Sequence, residues 1–159
     1  MFEWGSGAST VWLSARAASV VSVEHDPQWA ASIAPVLGPN AQVRTVPAEP
    51  MVPAHARDAV ASSKPGFEGL DFRAYVDAID QDDAAYDLIV IDGRAREACL
   101  ERALAHLTPG AMILFDNVDR KRYRDAIARH ASDVDVVWTR GLTPALPYPT
   151  RTALLTRVR

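Results

Sequence analysis

Along this chain, hydrophobic positions fall into short unbroken runs separated by stretches in which apolar residues recur every three or four positions. Val20–Glu24 ("VVSVE") is short and β-branched, as a buried strand requires. Ala41–Val46 alternates apolar and polar side chains and reads as a second strand. Asp87–Asp92 ("DLIVID") and Ala111–Asp116 ("AMILFD") are the clearest: each is an apolar run that ends on an aspartate. Continuous runs of this kind belong in parallel sheets covered on both faces. Val134–Thr139 and Thr152–Thr156 complete the predicted strands.

Helical periods lie between them. Trp29, Ile33, Val36 and Leu37 share one predicted face, as do Phe72, Tyr75, Val76 and Ile79. Leu100, Ala103, Leu104 and Leu107 follow the same rule, and Thr108-Pro109-Gly110 is expected to stop that helix. Tyr123, Ala126, Ile127 and His130 form a further stripe. Strands that alternate with helices predict an α/β fold with a mostly parallel sheet. The stretch from Pro47 to Gly69 breaks this rhythm. It contains Pro47, Pro50, Pro53 and Pro65 and has no sustained period, so it is expected to be a long loop, of a length that is functional or mobile in compact domains.

The 159 residues suit one domain with a proper core, and no repeat or linker divides them. Apolar residues make up 48% and charged residues 23%, a globular balance. A net charge of −3 gives no general attraction to nucleic acid or to an anionic membrane. The lone cysteine, Cys99, excludes an internal disulfide framework and falls in an apolar helical stripe, so it reads as core. There is no secretory leader pattern and no apolar window long enough to span a bilayer, so the expected location is the cytoplasm.

The candidate chemistry starts at "MFEWGSGAST", the first residues of the chain. Gly5 and Gly7 allow a tight turn after a strand and close approach of backbone to a ligand. A ligand of an open α/β sheet binds at such strand ends. Glu3, just before the turn, would repel a phosphate and favour a cation. Glu24, ending the next strand, can accept hydrogen bonds from both hydroxyls of a ribose. The rival is a nicotinamide-dinucleotide domain, whose fingerprint is G-x-G-x-x-G. Here Thr10 holds the third glycine place.

An acidic residue before the turn, G-x-G, and an acidic end to the second strand together resemble the class I S-adenosylmethionine-dependent methyltransferases. The resemblance runs through "FEWGSGAST", "VVSVEHDPQW", "YDLIVIDGRAR" and "LTPGAMILFDN", nearly the whole chain. Within that class it is similar to an uncharacterised bacterial group with the "IDGRAR" and DN-x-DR motifs. The resemblance implies a Rossmann-like three-layer α/β/α sandwich. Its mostly parallel seven-stranded sheet would have an antiparallel last strand, and helices would be absent from its N-terminal side. It also implies that residues 1–159 form a single S-adenosylmethionine-binding domain, expected to be truncated at its N-terminus.

The roles that follow from the resemblance are these. Glu3, Gly5, Ser6 and Gly7, with Ser9 and Thr10 opening the helix, would surround the methionine moiety and sulfonium. Glu24 would hold the ribose, with His25 and Asp26 beside the adenosine. Pro47, Ala48 and Glu49 would lie near the adenine. Asp92 and Gly93 would face the methyl group and the acceptor, and Asp92 is the candidate base. An alternative role for Asp92 is to tie loops together.

Asp92, Asp116 and Asn117 also resemble the metal site of catechol and caffeoyl-coenzyme A O-methyltransferases, which implies Mg2+ or Ca2+ as a second cofactor. Arg94 and Arg96 depart from that pattern by placing positive charge directly after Asp92. Together with Arg120 and Asn117 they are candidate acceptor-binding residues, since a guanidinium fork matches carboxylate or phosphate. The competing reading pairs these arginines with Asp92, Asp116 and Asp119. Trp12 and Trp29 read as packing residues.

The expected activity is methyl transfer to a small molecule, at oxygen, with neither nucleic acid nor membrane as partner. The alternative is a methyltransferase-like protein that binds a ligand or partner without catalysis. The acceptor is expected to be chosen by Pro47–Gly69 and by the connection Gly141–Pro149. The pocket would be open to solvent or closed by a second chain, which makes a homodimer an expectation.

Overall fold

A computed structural model describes residues 1–55, 57–142 and 147–158. The predicted connection Gly141–Pro149 therefore lies partly outside the described residues. The main sheet contains β1 (Phe2–Trp4), β2 (Val20–Glu24), β3 (Ala41–Thr45), β4 (Tyr86–Ile91), β5 (Leu107–Phe115), β6 (Val134–Leu142) and β7 (Pro149–Arg157). These seven strands run in the order β3-β2-β1-β4-β5-β7-β6. β7 is antiparallel to both neighbours, and the others are parallel. Helices α1 (Ala8–Ser14), α2 (Pro27–Ile33), α3 (Arg73–Asp77), α4 (Arg96–Ala103) and α5 (Lys121–Arg129) flank it. The Rossmann-like sandwich with an antiparallel last strand is therefore the observed fold.

Three residues suffice for the central strand because both of its edges are paired. Phe2, Glu3 and Trp4 align with Val21, Ser22 and Val23 on one side and with Ile89, Val90 and Ile91 on the other. All three are fully buried. Side chains alternate across a strand. Phe2 and Trp4 enter the main core with Tyr75, Ile89, Ile91, Ile113 and Phe115. Glu3 points to the opposite face, towards α1.

The stripes Phe72/Tyr75/Val76/Ile79 and Tyr123/Ala126/Ile127 are buried as predicted. Cys99 is also buried, and burial pushes its thiol pKa well up. Three expectations need correction. The stripe predicted over Trp29, Ile33, Val36 and Leu37 is not core: Trp29 is 48% and Val36 60% exposed, and Ala30 is the one buried residue of α2. Trp12 is also exposed, with the Arg16 guanidinium 4.0 Å from its ring. Finally, Thr108-Pro109-Gly110 does not stop a helix. α4 ends at Ala103, a single 3-10 turn follows over Leu104–His106, and β5 already starts at Leu107. The three residues are absorbed where the β4–β5 register shifts between Tyr86 and Leu88.

The long loop is anchored at its ends. Glu49–Pro50 pairs antiparallel with Leu70–Asp71, and the Asp71 carboxylate accepts from the Val60 amide at 2.8 Å. Phe67 packs against His25 and Phe72, with ring centroids 5.3 and 5.7 Å away. This packing carries the loop over the carboxyl ends of β1, β2 and β4.

Candidate cofactor and acceptor site

The turn after β1 works by close approach. Gly5 has φ +96°, and a Cβ there would lie 2.7 Å from the Cα of Gly93. A Cβ on Gly93 would in turn lie 1.9 Å from the Tyr75 hydroxyl oxygen. The turns after β1 and β4 therefore press backbone on backbone, which only glycine permits. Gly7 has open space where a Cβ would stand.

Two carboxylates hold this turn. Glu24 is almost fully buried. Its Oε2 accepts from the amide and hydroxyl of Ser6 at 3.1 and 3.2 Å, and its Oε1 accepts from the Asp26 amide at 2.9 Å. Nδ1 of His25 lies 2.6 Å from the same Oε1. Burial alone would raise the Glu24 pKa, but His25 and these donors outweigh it and leave it lowered. Glu3 accepts from the hydroxyls of Ser9, Thr10 and Ser22 at 2.7, 2.5 and 2.8 Å. There burial wins over the hydroxyls, and the Glu3 pKa is raised. Thr10 also accepts from the Gly7 amide at 2.9 Å, so its hydroxyl fixes the turn from behind.

Beyond the turn lies a cleft of about 760 Å3. Its walls are Gly5, Ser6, Gly7, Ala8, Ser9, Glu24, His25, Asp26, Trp29, Lys64, Phe67, Asp92, Gly93 and Arg94. The volume falls within the roughly 300–1,000 Å3 of ordinary small-molecule sites. Trp29 seals one flank by donating its indole N–H to the Ser6 carbonyl at 2.7 Å. The Asp26 carboxylate caps α2 by accepting from the amides of Gln28 and Trp29.

Of the expected cofactor residues, Gly5, Ser6, Gly7, Ser9, Glu24, His25, Asp92 and Gly93 meet in this cleft. Glu3 and Thr10 do not line it; the pleat of β1 points Glu3 at α1, and Thr10 is the buried α1 residue that donates to it behind the turn. Ala48 and Glu49 are not in its walls either. Ala48 packs partly buried against the core, and Glu49 is exposed in the short ribbon with Asp71. Lys64, Phe67 and Trp29 are wall residues that pattern reading did not select. The signal for Phe67 was its being the one Phe, Tyr or Trp in the proline-rich loop from Pro47 to Gly69.

A second cavity of about 210 Å3 adjoins the cleft and shares Lys64, Gly93 and Arg94 with it. Arg94, Arg96, Asn117 and Arg120 line it together, with Ser62, Ser63, Glu97, Arg122 and Tyr123. The four expected acceptor residues are therefore neighbours in space.

Asp92 lines the cleft, next to Gly93, which both volumes share. Its side chain is 38% exposed, and its Oδ1 accepts from Nη2 of Arg96 at 2.8 Å. Burial raises its pKa to about 6. Arg96 and Arg94 oppose this shift, while Asp116 and Glu3 reinforce it. Arg96 also donates to the carbonyls of Asp92, Gly93 and Asp116 at 2.8, 3.0 and 2.7 Å. It thus staples the end of β4 to the end of β5. The ion-pairing expectation holds for this arginine.

The metal expectation does not fit. Arg96 occupies one oxygen of Asp92, and Oδ1 of Asp116 accepts from the Thr152 hydroxyl at 2.6 Å on β7. Asp116 lines neither the cleft nor the second cavity. No group of three His, Cys, Asp or Glu residues able to hold a metal gathers among the described residues. The donor set that a divalent cation requires is not brought together.

The glycine turn, the acidic end of β2 and the strand order agree with comparison to known proteins. A family described as "Methyltransferase domain" matches residues 2–118, and the chain belongs to that family of S-adenosylmethionine-dependent methyltransferases. No curated protein matches the chain. Among solved structures, the chain is similar to an O-methyltransferase from Bacillus cereus in complex with S-adenosylhomocysteine. Identity is 20%, the match covers 99% of this chain and 73% of that one, and the TM-score is 0.71. It is also similar to the O-methyltransferase TomG from Streptomyces achromogenes in complex with S-adenosylmethionine. There identity is 16%, coverage 99% and 72%, and the TM-score 0.65. A ribosomal RNA methylase from Streptococcus thermophilus aligns at 10% identity over 99% of this chain and 86% of that chain, with a TM-score of 0.61. At these identities the likeness shows a shared fold. No helix among the described residues is long and apolar enough to cross a membrane.

Proposed function

We propose that this protein transfers a methyl group from S-adenosylmethionine to an oxygen atom of a small molecule. The observation that carries this reading is the convergence of Gly5–Gly7, Glu24 and Asp92 on one cleft that shares a wall with a second, smaller cavity. S-adenosylmethionine would supply a methyl carbon activated by its sulfonium. Gly7 and Ser9 would receive its methionine part, Glu24 and His25 its ribose and adenosine, with Trp29 and Phe67 closing the sides. The carboxylate of Glu24 is kept ionised by its donors, as ribose binding needs.

This chain's own task is alignment, exclusion of water and removal of a proton. Asp92 would accept the acceptor's hydroxyl proton as the new carbon–oxygen bond forms and the carbon–sulfur bond breaks. A carboxyl with a pKa of about 6 is a stronger base than an ordinary aspartate and is still ionised at neutral pH. The small second cavity and the net charge of −3 favour a small acceptor over a nucleic acid. The O-methyltransferases named above favour oxygen as the accepting atom.

One observation favours a second reading. Because Asp92 is paired with Arg96, it serves the loops as well, and a ligand-binding protein without catalysis would keep the same pair. Calorimetric titration with S-adenosylmethionine, with NAD as control, tests the cofactor assignment. Label transfer from methyl-labelled S-adenosylmethionine to a panel of phenols and hydroxy acids then separates enzyme from binder. Lack of S-adenosylmethionine binding at millimolar concentration overturns the proposal.

A further inference from the structure

We propose that the methyl acceptor is an anion whose carboxylate or phosphate group seats between Lys64, Arg94 and Arg120 in the second cavity; the inference rests on the methyl-transfer reading above. Two of the cations that line this cavity, Arg96 and Arg122, are already paired. Arg96 is committed to Asp92 and to the carbonyls at the ends of β4 and β5. Arg122 lies 3.2 Å from the Glu97 carboxylate and donates to the Tyr123 hydroxyl at 3.0 Å.

Lys64, Arg94 and Arg120 remain. Among the described residues, no carboxylate lies within ion-pair distance of any of them. Arg94 is the most telling. Its guanidinium is held 5.2 Å over the Phe67 ring, and its Nε is buried without a hydrogen-bond partner among the described residues. Holding a donor in that condition is costly, and a ligand oxygen would relieve it. The whole chain is acidic, so this local surplus of positive charge is not general basicity.

The position of the cavity makes the anion part of the acceptor. Lys64 and Arg94 form the wall shared with the cofactor cleft, and Gly93 joins the cavity to Asp92. A small hydroxylated acid anchored by its anionic end at Arg94 and Arg120 would extend towards that seam. A guanidinium fork fixes orientation as well as charge, because it matches carboxylate or phosphate oxygens in pairs. In the reaction the acceptor oxygen bonds the methyl carbon, the sulfur keeps the electron pair of the broken bond, and the proton passes to Asp92. The anionic group is unchanged throughout.

The test is calorimetry on protein loaded with S-adenosylhomocysteine, at constant ionic strength set by chloride. The probes are inorganic phosphate, 4-hydroxybenzoate and phenol. We expect the anions to bind and phenol to bind at least tenfold more weakly than 4-hydroxybenzoate. The tighter of phosphate and 4-hydroxybenzoate identifies the anionic group as phosphate or carboxylate. Arg94→Gln and Arg120→Gln should each weaken anion binding about tenfold. Arg120→Gln should leave S-adenosylhomocysteine affinity unchanged, because Arg120 lines only the second cavity. Arg16→Gln, a remote control, should change neither. Equal affinity for phenol and 4-hydroxybenzoate, or anion binding that both variants leave unmoved, overturns the proposal. If S-adenosylhomocysteine itself does not bind, the methyl-transfer reading falls, and phosphate titration of the unliganded protein and its Arg120→Gln variant still decides the anion site.

Discussion

Arg96 and Asp92 stand one helical turn apart in sequence and share a 2.8 Å hydrogen bond, while the same guanidinium donates to the Asp116 carbonyl on the neighbouring strand. One side chain therefore fixes the position of the candidate base and opposes the rise in its pKa. Arg96→Met should leave three carbonyls and a carboxylate short of donors and cost about 2–4 kcal/mol in a denaturant titration. It should also move the Asp92 pKa further up, because Arg96 is the largest influence holding it down. A variant as stable as the parent would show that the staple contributes nothing.

The pH dependence follows from the sign of that shift. The Asp92 pKa is raised from 3.8 to about 6, so the carboxyl is protonated below pH 6 and cannot accept the acceptor's proton. Methyl transfer should therefore rise with pH through about 6. Asp92→Asn should lower the rate by about 10²-fold or more and abolish that limb. Stability should run the other way. The folded state holds this proton more tightly than the unfolded chain, so the contribution is present below the unfolded pKa and is lost as pH rises through about 6. Since Asp92 is 38% exposed, solvent screening keeps the effect small. Thermal melts of the parent and Asp92→Asn at pH 4 and pH 7 measure it.

Glu24→Ala removes the group proposed to hold the ribose and also releases Ser6 and Asp26. S-adenosylmethionine affinity should fall at least tenfold, about 1.4 kcal/mol. Glu24→Gln keeps the shape but loses the charge and should fall in between. Unchanged affinity in both variants would reject the ribose assignment.

The contact between the two turns predicts a rescue. Gly93→Ala places a methyl group 1.9 Å from the Tyr75 hydroxyl oxygen and should destabilise the fold by several kcal/mol, on the order of 1–3 or more for an overpacked core. Tyr75→Phe in the same chain removes the oxygen and should restore part of the loss. If the double variant is no more stable than Gly93→Ala alone, the clash lies elsewhere.

Chelation is the remaining test. Because Arg96 occupies Asp92 and Thr152 occupies Asp116, activity should survive exhaustive treatment with EDTA. Loss of activity that Mg2+ restores would show that these contacts open to admit a metal.

Much of this protein was legible in one dimension. The apolar runs at Val20–Glu24, Asp87–Asp92 and Ala111–Asp116 became β2, β4 and β5, because unbroken apolar strands can be satisfied only inside a covered sheet. The pair Gly5 and Gly7 marked the cleft, and at Gly5 the reason is local stereochemistry: a positive φ and contact with Gly93 leave no room for a Cβ, whereas Gly7 has open space. Arg94, Arg96, Asn117 and Arg120 were candidates from residue type alone, and the fold brings them to one cavity.

Other features depended on contacts between distant segments. Periodicity marks a face as apolar but does not reveal what covers it, so the stripe of Trp29 and Val36 looked like core and is exposed. Strand pleating sends Glu3 behind the turn, and it sends Asp116 to Thr152 rather than to the cleft. Lys64 and Phe67 reach the site only because the loop after β3 is pinned over it by packing on His25 and Phe72. The sequence by itself determined the fold class, the glycine turn and the charged groups near the strand ends, all of which follow from local stereochemistry and residue type. Tertiary structure decided which carboxylates and cations are already paired, because pairing is set by distances between strands and loops that are far apart along the chain.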